Sequence, residues 1–488
     1  MAAFILDKFG FKATKQQEKA VGMMSEFIFE RNADSIFLLK GYAGTGKTSL
    51  IGALVRSMDA LKQKTVLMAP TGRAAKVFAL HAEHTAFTIH KRIYRQKSFS
   101  GEMIDFLQNV NLLKNTLFIV DEASMIANDS LGSSVFGTGR LLDDLIHFVY
   151  SGEGCRLMLV GDAAQLPPVG QQLSPALDEQ TLEGYGMDVK SITLTEVVRQ
   201  LSDSGILWNA TMLRRLMAED EVWDFPRLRI KDFPDVVHIP ANELIEAIEQ
   251  AYYQVGSDET IIVTRSNARA NAYNQGIRGR ILDREEELTG GDQVMVVKNN
   301  YFWVKPEEKT TDNREEASPA MDFIANGDVA VVRRLRNERH EHGFRFADVW
   351  LQFPDYDDVE VEATVILDTL ASEAPALTRE QQESLFQHVW DDYPELTTKR
   401  DRMKAVKNDP LFNALQVKYA YAVTCHKAQG GQWKRIFVDQ GYLTEDMIGP
   451  DYFRWLYTAI TRATETVYLV NWPRQELDEE SQRVVDDR

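Results

Sequence analysis

Short apolar runs, each closing on small or polar residues, recur at 36–40, 65–69, 116–120, 156–160 and 191–194, with helix-spaced apolar positions between them. A strand buried on both faces reads as a continuous apolar run, and the helix that covers it repeats near every 3.6 residues. The alternation therefore predicts a parallel sheet with helical crossovers. It restarts at 260–264, 435–439 and 466–471, so the fold class expected is α/β with two parallel-sheet domains, 1–195 and 196–475. Two stretches interrupt it. Residues 298–415 alternate as β-type pieces such as 359–365, with acidic loops and a helix-like piece at 400–406, and read as a β-rich subdomain inserted in the second domain. A smaller insertion, about 91–113, lies between the second and third strands of the first domain, and 476–488 reads as an acidic tail.

Candidate chemistry sits where the runs end. GYAGTGKT, from Gly41 to Thr48, follows a predicted strand and precedes a helical run. In that setting Gly41, Gly44 and Gly46 let backbone N–H groups, Thr45 among them, surround phosphate oxygens; Lys47 reaches the β and γ phosphates, Thr48 holds Mg²⁺, and Ser49 continues the helix start. The implied cofactors are ATP and Mg²⁺. FIVDEASM ends a second run with Asp121, placed to bind Mg²⁺ through water, and Glu122, placed to orient attacking water. Paired carboxylates alone are an ordinary polar loop; the P-loop upstream makes them catalytic candidates. LVGDAAQLPPVG ends a third run with Gln165 where a γ-phosphate sensor belongs, although LPP without that context is only a stiff turn.

Composition changes this picture little. A chain of 488 residues can bury several cores, and no apolar run reaches the ~18 residues of a membrane span. Phe4, Ile5 and Leu6 are too few for a signal-peptide core, so a cytoplasmic protein is expected. Cys155 and Cys425 form neither a disulfide framework nor metal knuckles. The formal charge of −18 argues against a polyanionic partner, but the acid clumps at 283–287, 307–316, 355–362 and beyond 476, stretches read as solvated. A local basic groove can still hold phosphates.

In order along the chain, GYAGTGKT, APTGRAAK (69–76), TIH (88–90), VDEAS (120–124), GDAAQLPPVG (161–170), TEVVRQ (195–200), VTCHKAQG (423–430) and YTAITRA (457–463) resemble the RecD and Dda branch of superfamily 1 helicases, together with the Pif-type enzymes. The resemblance implies two RecA-like P-loop domains clamping ATP, and an ATP-dependent DNA helicase that moves 5′-to-3′ on single-stranded DNA and opens forked duplexes as a monomer. It assigns Arg199 and Arg462 to the γ-phosphate from the second domain, and places Gly430 with the nucleotide-binding set. It gives Gln17 the adenine edge, although Thr14 and Gln17 also read as a helix capping box. Thr71 and Thr424 become ligands of the strand's phosphates, with His90 and His426 nearby, and the two insertions become the strand-separating parts. The spacing supports one of these assignments independently: Arg454, Thr458 and Arg462 fall four apart, on a different helix face from Phe453, Leu456, Tyr457 and Ile460. The choice of base-stacking aromatic stays open among Phe87, Tyr94, Phe302 and Trp303. Two other activities fit the same motifs: a DNA-stimulated ATPase that remodels protein–DNA complexes without strand separation, and an ATP-switched DNA-binding subunit.

Overall fold

The computed structural model describes residues 1–30, 32, 34–96, 106–128, 138–198, 204–304, 321 and 323–478. Its first eight strands are β1 (Ser35–Gly41), β2 (Lys64–Ala69), β3 (Ala86–Thr88), β4 (Tyr94–Gln96), β5 (Phe106–Gln108), β6 (Thr116–Val120), β7 (Arg156–Gly161) and β8 (Asp188–Leu194). Six of them form one parallel sheet in the order β3-β2-β6-β7-β1-β8. Alternate residues of its central strands enter opposite cores. Phe37, Leu39, Ile119 and Val160 pack beneath the helices Lys15–Phe29, Lys47–Ala60 and Gly72–Ala82, and Ile36, Leu38, Phe118 and Leu159 pack against the helix Leu141–Tyr150. That two-sided burial is why these strands read as unbroken apolar runs.

β3 adds a sheet strand that the pattern did not predict, and it lies ahead of the small insertion, which therefore follows the third strand. Within 91–113, β4 and β5 pair as an antiparallel hairpin. Its base is not an appendage. Ile93 is fully buried, the Tyr94 hydroxyl donates to Asp144 Oδ2 at 2.7 Å, and Asn111 Nδ2 donates to the carbonyls of Phe148 and Val149.

The second half continues with β9 (Leu228–Arg229), β10 (Val236–Ile239), β11 (Thr260–Thr264), β12 (Gln293–Val296), β13 (Val329–Glu341), β14 (Phe344–Phe353), β15 (Val359–Ile366), β16 (Leu415–Tyr419), β17 (Ala422–Thr424), β18 (Trp433–Asp439), β19 (Ala463–Val470) and β20 (Leu477–Asp478). A second parallel sheet has the order β10-β19-β18-β11-β17, and β12 to β16 close a barrel between β11 and β17. The molecule is thus α/β with two RecA-like sheets and a β-rich insertion. In the barrel β15 and β16 run parallel, and their crossover carries the helices Arg379–Asp391 and Lys399–Lys407, which bury Leu385, Val389 and Val406 against Phe344 and Phe346 of β14.

Several acidic stretches are less solvated than expected. Glu476 is buried and accepts from Gln440 at 2.9 Å, and β20 pairs with β9, so 476–478 is docked rather than a free tail. Asp355 lies 3.6 Å from Lys76, and Glu287 is bound by Arg345. Residues 307–316 and 479–488 lie outside the described residues.

Candidate functional site

β1 ends at Gly41, and the loop that follows turns into the helix Lys47–Ala60 through Gly44 (φ 75°) and Gly46 (φ 78°). Both need the left-handed region that glycine adopts without strain. Space is tight as well: a Cβ on Gly46 would lie 2.8 Å from Gln17 Nε2, and one on Gly44 2.8 Å from Leu207. Within the loop, Thr45 Oγ1 and Lys47 Nζ both donate to the Tyr42 carbonyl, at 2.8 and 2.9 Å. Gln17 is fixed against this loop by both ends of its amide. Its Oε1 accepts the Thr14 N–H at 2.9 Å in a complete capping box, its Nε2 donates to the Thr45 carbonyl at 3.0 Å, and it is 1% exposed. An amide so held ties the start of its own helix to the phosphate loop.

Asp121 and Glu122 follow β6. Asp121 Oδ1 accepts the Glu122 N–H at 2.8 Å, and Glu122 takes φ 52°, a left-handed conformation costly for a residue with a Cβ. Burial pushes Asp121 up to about 7, helped by the neighbouring Glu122 charge and opposed by Lys47 and Arg462. Two carboxylates and two cations therefore converge on one small volume. A divalent cation beside Asp121 would restore its charged form, and the Thr48 hydroxyl with the Asp121 carboxylate is the hard-oxygen pair that Mg²⁺ takes. Asp162, just past β7, is likewise raised by burial and opposed by Lys47. Gln165 is 6% exposed, and its Oε1 has no partner among the described residues.

The second domain closes on this centre through the helix Pro450–Ile460. Arg462, two residues past its end and 4% exposed, places Nη1 3.3 Å from Glu122 Oε1. Arg454 donates to the Ala163 carbonyl at 2.7 Å, Thr458 Oγ1 accepts the Leu166 N–H at 2.9 Å, and Gln429 Nε2 donates to the Leu166 carbonyl at 2.6 Å. The Tyr457 hydroxyl accepts the Ala43 N–H at 2.8 Å and donates to Asp162 Oδ2 at 2.7 Å. Arg199 lies outside the described residues; Val198, beside it in sequence, donates its N–H to the Gly44 carbonyl at 3.0 Å.

The strand-binding candidates divide. Thr71 caps the helix Gly72–Ala82 by accepting the Ala74 N–H. Gly430 (φ 73°) abuts that helix start, where a Cβ would meet Ala74 Cβ at 2.9 Å and Thr71 Oγ1 at 3.3 Å. Gly430 therefore takes part in the contact between the domains at Thr71. Thr424 precedes the short helix Cys425–Ala428 without capping it, and His426 is exposed. Arg73 reaches across the domains to the Gln432 carbonyl at 3.0 Å, with its guanidinium 4.1 Å from the Trp433 ring centre. Thr71 and His90 each follow one of two paired strand ends, Ala69 and Thr88; the His90 ring lies among Tyr94 and Phe323, and burial pushes it down to about 4, so it is uncharged at neutral pH. Tyr94, 6% exposed and tied through its hydroxyl to Asp144, offers little open ring face to a base.

Residues 13–225 match the family model described as an AAA domain, and 419–470 that of a UvrD-like helicase C-terminal domain. The ATP-dependent RecD2 DNA helicase of Deinococcus radiodurans is 30% identical over 444 residues, which are 89% of this chain and 46% of that protein. These matches support a superfamily 1 helicase similar to the RecD and Pif-type enzymes. An uncharacterized protein of Acanthamoeba polyphaga mimivirus is 23% identical over 93% of this chain and 98% of its own length. The crystal structure of a Bacteroides Pif1 helicase with ADP-AlF3 and single-stranded DNA aligns over 96% of this chain and 95% of that one, at 14% identity and a TM-score of 0.45. The chain spans less than half the length of the RecD2 relative.

Sequence reasoning missed Asp162, Arg454, Tyr457, Thr458 and Gln429 as members of the cleft. Arg454 and Thr458 were already on the face assigned away from the core. Tyr457 was read as core, correctly for its ring, and only its hydroxyl distinguishes it from a phenylalanine there.

Proposed function

We propose that this chain is an ATP-driven motor that moves 5′-to-3′ along single-stranded DNA and opens forked duplex, with 1–195 and 196–475 as its two moving lobes. The observation that carries the reading is Arg462 of the second lobe, 3.3 Å from Glu122 of the first. A guanidinium delivered across a cleft stabilises the charge that grows on a transferring phosphoryl group only while the cleft is shut. Hydrolysis is thereby tied to relative motion of the lobes. Lys47 and the loop N–H groups hold the phosphates, Glu122 orients and accepts a proton from the attacking water, and Gln165 senses the γ-phosphate. Mg²⁺, held by Thr48 and through water by Asp121, would neutralise charge on the phosphate oxygens.

The same cleft brings Thr71 of one lobe against Gly430 of the other, so a strand gripped beside Thr71 and Thr424 has its two holding points on parts that move apart and together. Alternating grip on backbone phosphates converts that motion into steps, and makes binding depend on salt rather than base sequence. The polarity rests on the resemblance in the motifs 161–170 and 423–430.

The test is unwinding of two forks, one with only a 5′ single-stranded tail and one with only a 3′ tail, beside ATPase rates with and without single-stranded DNA. Opening of the 5′-tailed fork with DNA-stimulated hydrolysis is expected. Opening of the 3′-tailed fork alone overturns the polarity; stimulated hydrolysis with neither fork opened leaves a translocase; hydrolysis indifferent to DNA overturns the motor.

A further inference from the structure

The P-loop and the loop after β7 are both parts of the first domain, yet no hydrogen bond described between them is direct. They are joined through Tyr457 of the second domain. Its hydroxyl takes the Ala43 N–H at 2.8 Å and gives its own proton to Asp162 Oδ2 at 2.7 Å. Asp162 Oδ1 accepts the Ala164 N–H at 2.9 Å, which fixes the carboxylate's orientation. Tyr457 and Asp162 are each 1% exposed, so the link is shielded from bulk solvent. A phenolic O–H between one donor and one carboxylate has a single satisfied arrangement, and it exists only when three separate segments are in register.

Tyr457 also stands five positions before Arg462 on the same helix and its end. The helix is rigid along its axis, so the place where the tyrosine hydroxyl anchors fixes where the arginine lands relative to Glu122. Arg454 and Thr458 hold the same loop through backbone atoms, which sets depth but gives no link to the P-loop.

We propose that Tyr457, with Asp162 as its acceptor, is a positioning residue for ATP hydrolysis: it locks the second domain to the nucleotide loop in the one register that delivers Arg462. This rests on the ATPase reading above. It predicts an effect on turnover rather than on nucleotide affinity, because neither group needs to touch the nucleotide.

The test is a kinetic cycle on the full chain with oligothymidylate at saturation. Tyr457→Phe keeps the ring and its packing and removes only the hydroxyl. The expected result is a kcat lowered about tenfold or more with KM for ATP changed less than threefold, and an unchanged affinity for ADP by titration. Asp162→Asn should give a loss of similar size, and the double variant should be no worse than the more damaged single one, since the two act as one unit. In an Arg462→Ala background, where no arginine is left to place, Tyr457→Phe should have no further effect on single-turnover hydrolysis.

Multiplicative losses in either cycle, or Tyr457→Phe turning over at the wild-type rate, overturn the proposal while leaving the motor intact. An equal loss in ADP affinity and kcat overturns it in favour of simple support of the P-loop. A wild-type chain that hydrolyses no ATP overturns the parent reading and this one with it, and that outcome is seen before any variant is made.

Discussion

Replacing Arg462 by alanine separates transition-state stabilisation from domain contact, because the structure sets a scale for each. In the ground state the side chain makes one ion pair, to Glu122 at 3.3 Å, with the two side chains 5% and 22% exposed. A hydrogen bond between charged groups of that kind contributes about 2 kcal/mol. If Arg462 did no more than hold the cleft shut, its loss would therefore slow turnover by about thirtyfold, and saturating DNA and ATP would recover much of it. An arginine that also meets the phosphoryl group is worth at least ~10³ in rate, or about 4 kcal/mol of barrier. The two readings differ by more than tenfold in kcat. The assay is phosphate release at saturating ATP and oligothymidylate, beside titration with ADP. A kcat at least ~10³-fold lower with ADP affinity retained is expected. Lysine at 462 should recover only part of the loss, since an ammonium keeps the charge without the planar fork. A kcat loss under about thirtyfold, or one matched by lost ADP affinity, refutes the reasoning.

Glu122→Gln should bind ATP and fail to turn it over, because the P-loop and Asp121 remain while the water-orienting carboxylate does not; normal turnover in that variant removes Glu122 from the mechanism. Gly430→Ala, whose Cβ would meet Ala74 at 2.9 Å, should lower DNA-stimulated turnover severalfold and leave ADP affinity alone; a matched loss of affinity would place Gly430 at the nucleotide site. The test of the small insertion leaves the hairpin's base in place, since Ile93, Tyr94 and Asn111 anchor it. Exchange of residues 97–105 for a short Gly/Ser turn should preserve DNA-stimulated hydrolysis and abolish fork opening, and a variant that opens forks at the original rate places the wedge elsewhere. Asp328, held by the Tyr356 hydroxyl and the Ala325 N–H, is pushed by burial up to about 7. The folded chain thus keeps a proton that the unfolded chain releases near 4, and stability falls as pH rises from there to about 7. Asp328→Asn should melt higher than wild type at pH 8 and no higher at pH 4, and melting curves that stay parallel across that range refute the shift.

What was legible in the sequence was local. The phosphate loop and the carboxylates at 121 and 122 are contiguous motifs at strand ends, and their neighbours in the chain are their neighbours in space. The apolar runs gave the long strands for the same reason, since burial on both faces leaves one composition available. Three-residue strands such as β3 and β17 hold too few positions to show a period. The cleft contacts were hidden because they join residues hundreds of positions apart: 295 for Tyr457 with Asp162 and 340 for Arg462 with Glu122. Gln17 was ambiguous because one side chain fits two patterns, and the structure shows the capping box of the two. The surroundings of His90 were hidden for a related cause, since its aromatic neighbours come from near and far along the chain.

The barrel's place between β11 and β17 has a consequence for how the chain is made. β11, buried along its whole length, pairs with β17 and β18, and Thr264 Oγ1 reaches the Val423 carbonyl 159 positions later. As the polypeptide leaves the ribosome, the first sheet, complete by residue 194, has all its partners early. β10 and β11 do not; they wait with apolar faces and open edges until the barrel, its helical pair and β17 to β19 have been synthesised. Such a window invites edge-to-edge pairing between nascent chains. The barrel, whose strands are mostly joined to sequence neighbours, can form within that window and bring the two halves of the split sheet to the same place. The insertion is then a folding device before it is anything else: it closes a loop of more than a hundred residues in advance, so that the last strands to be made arrive beside the strands that have waited for them.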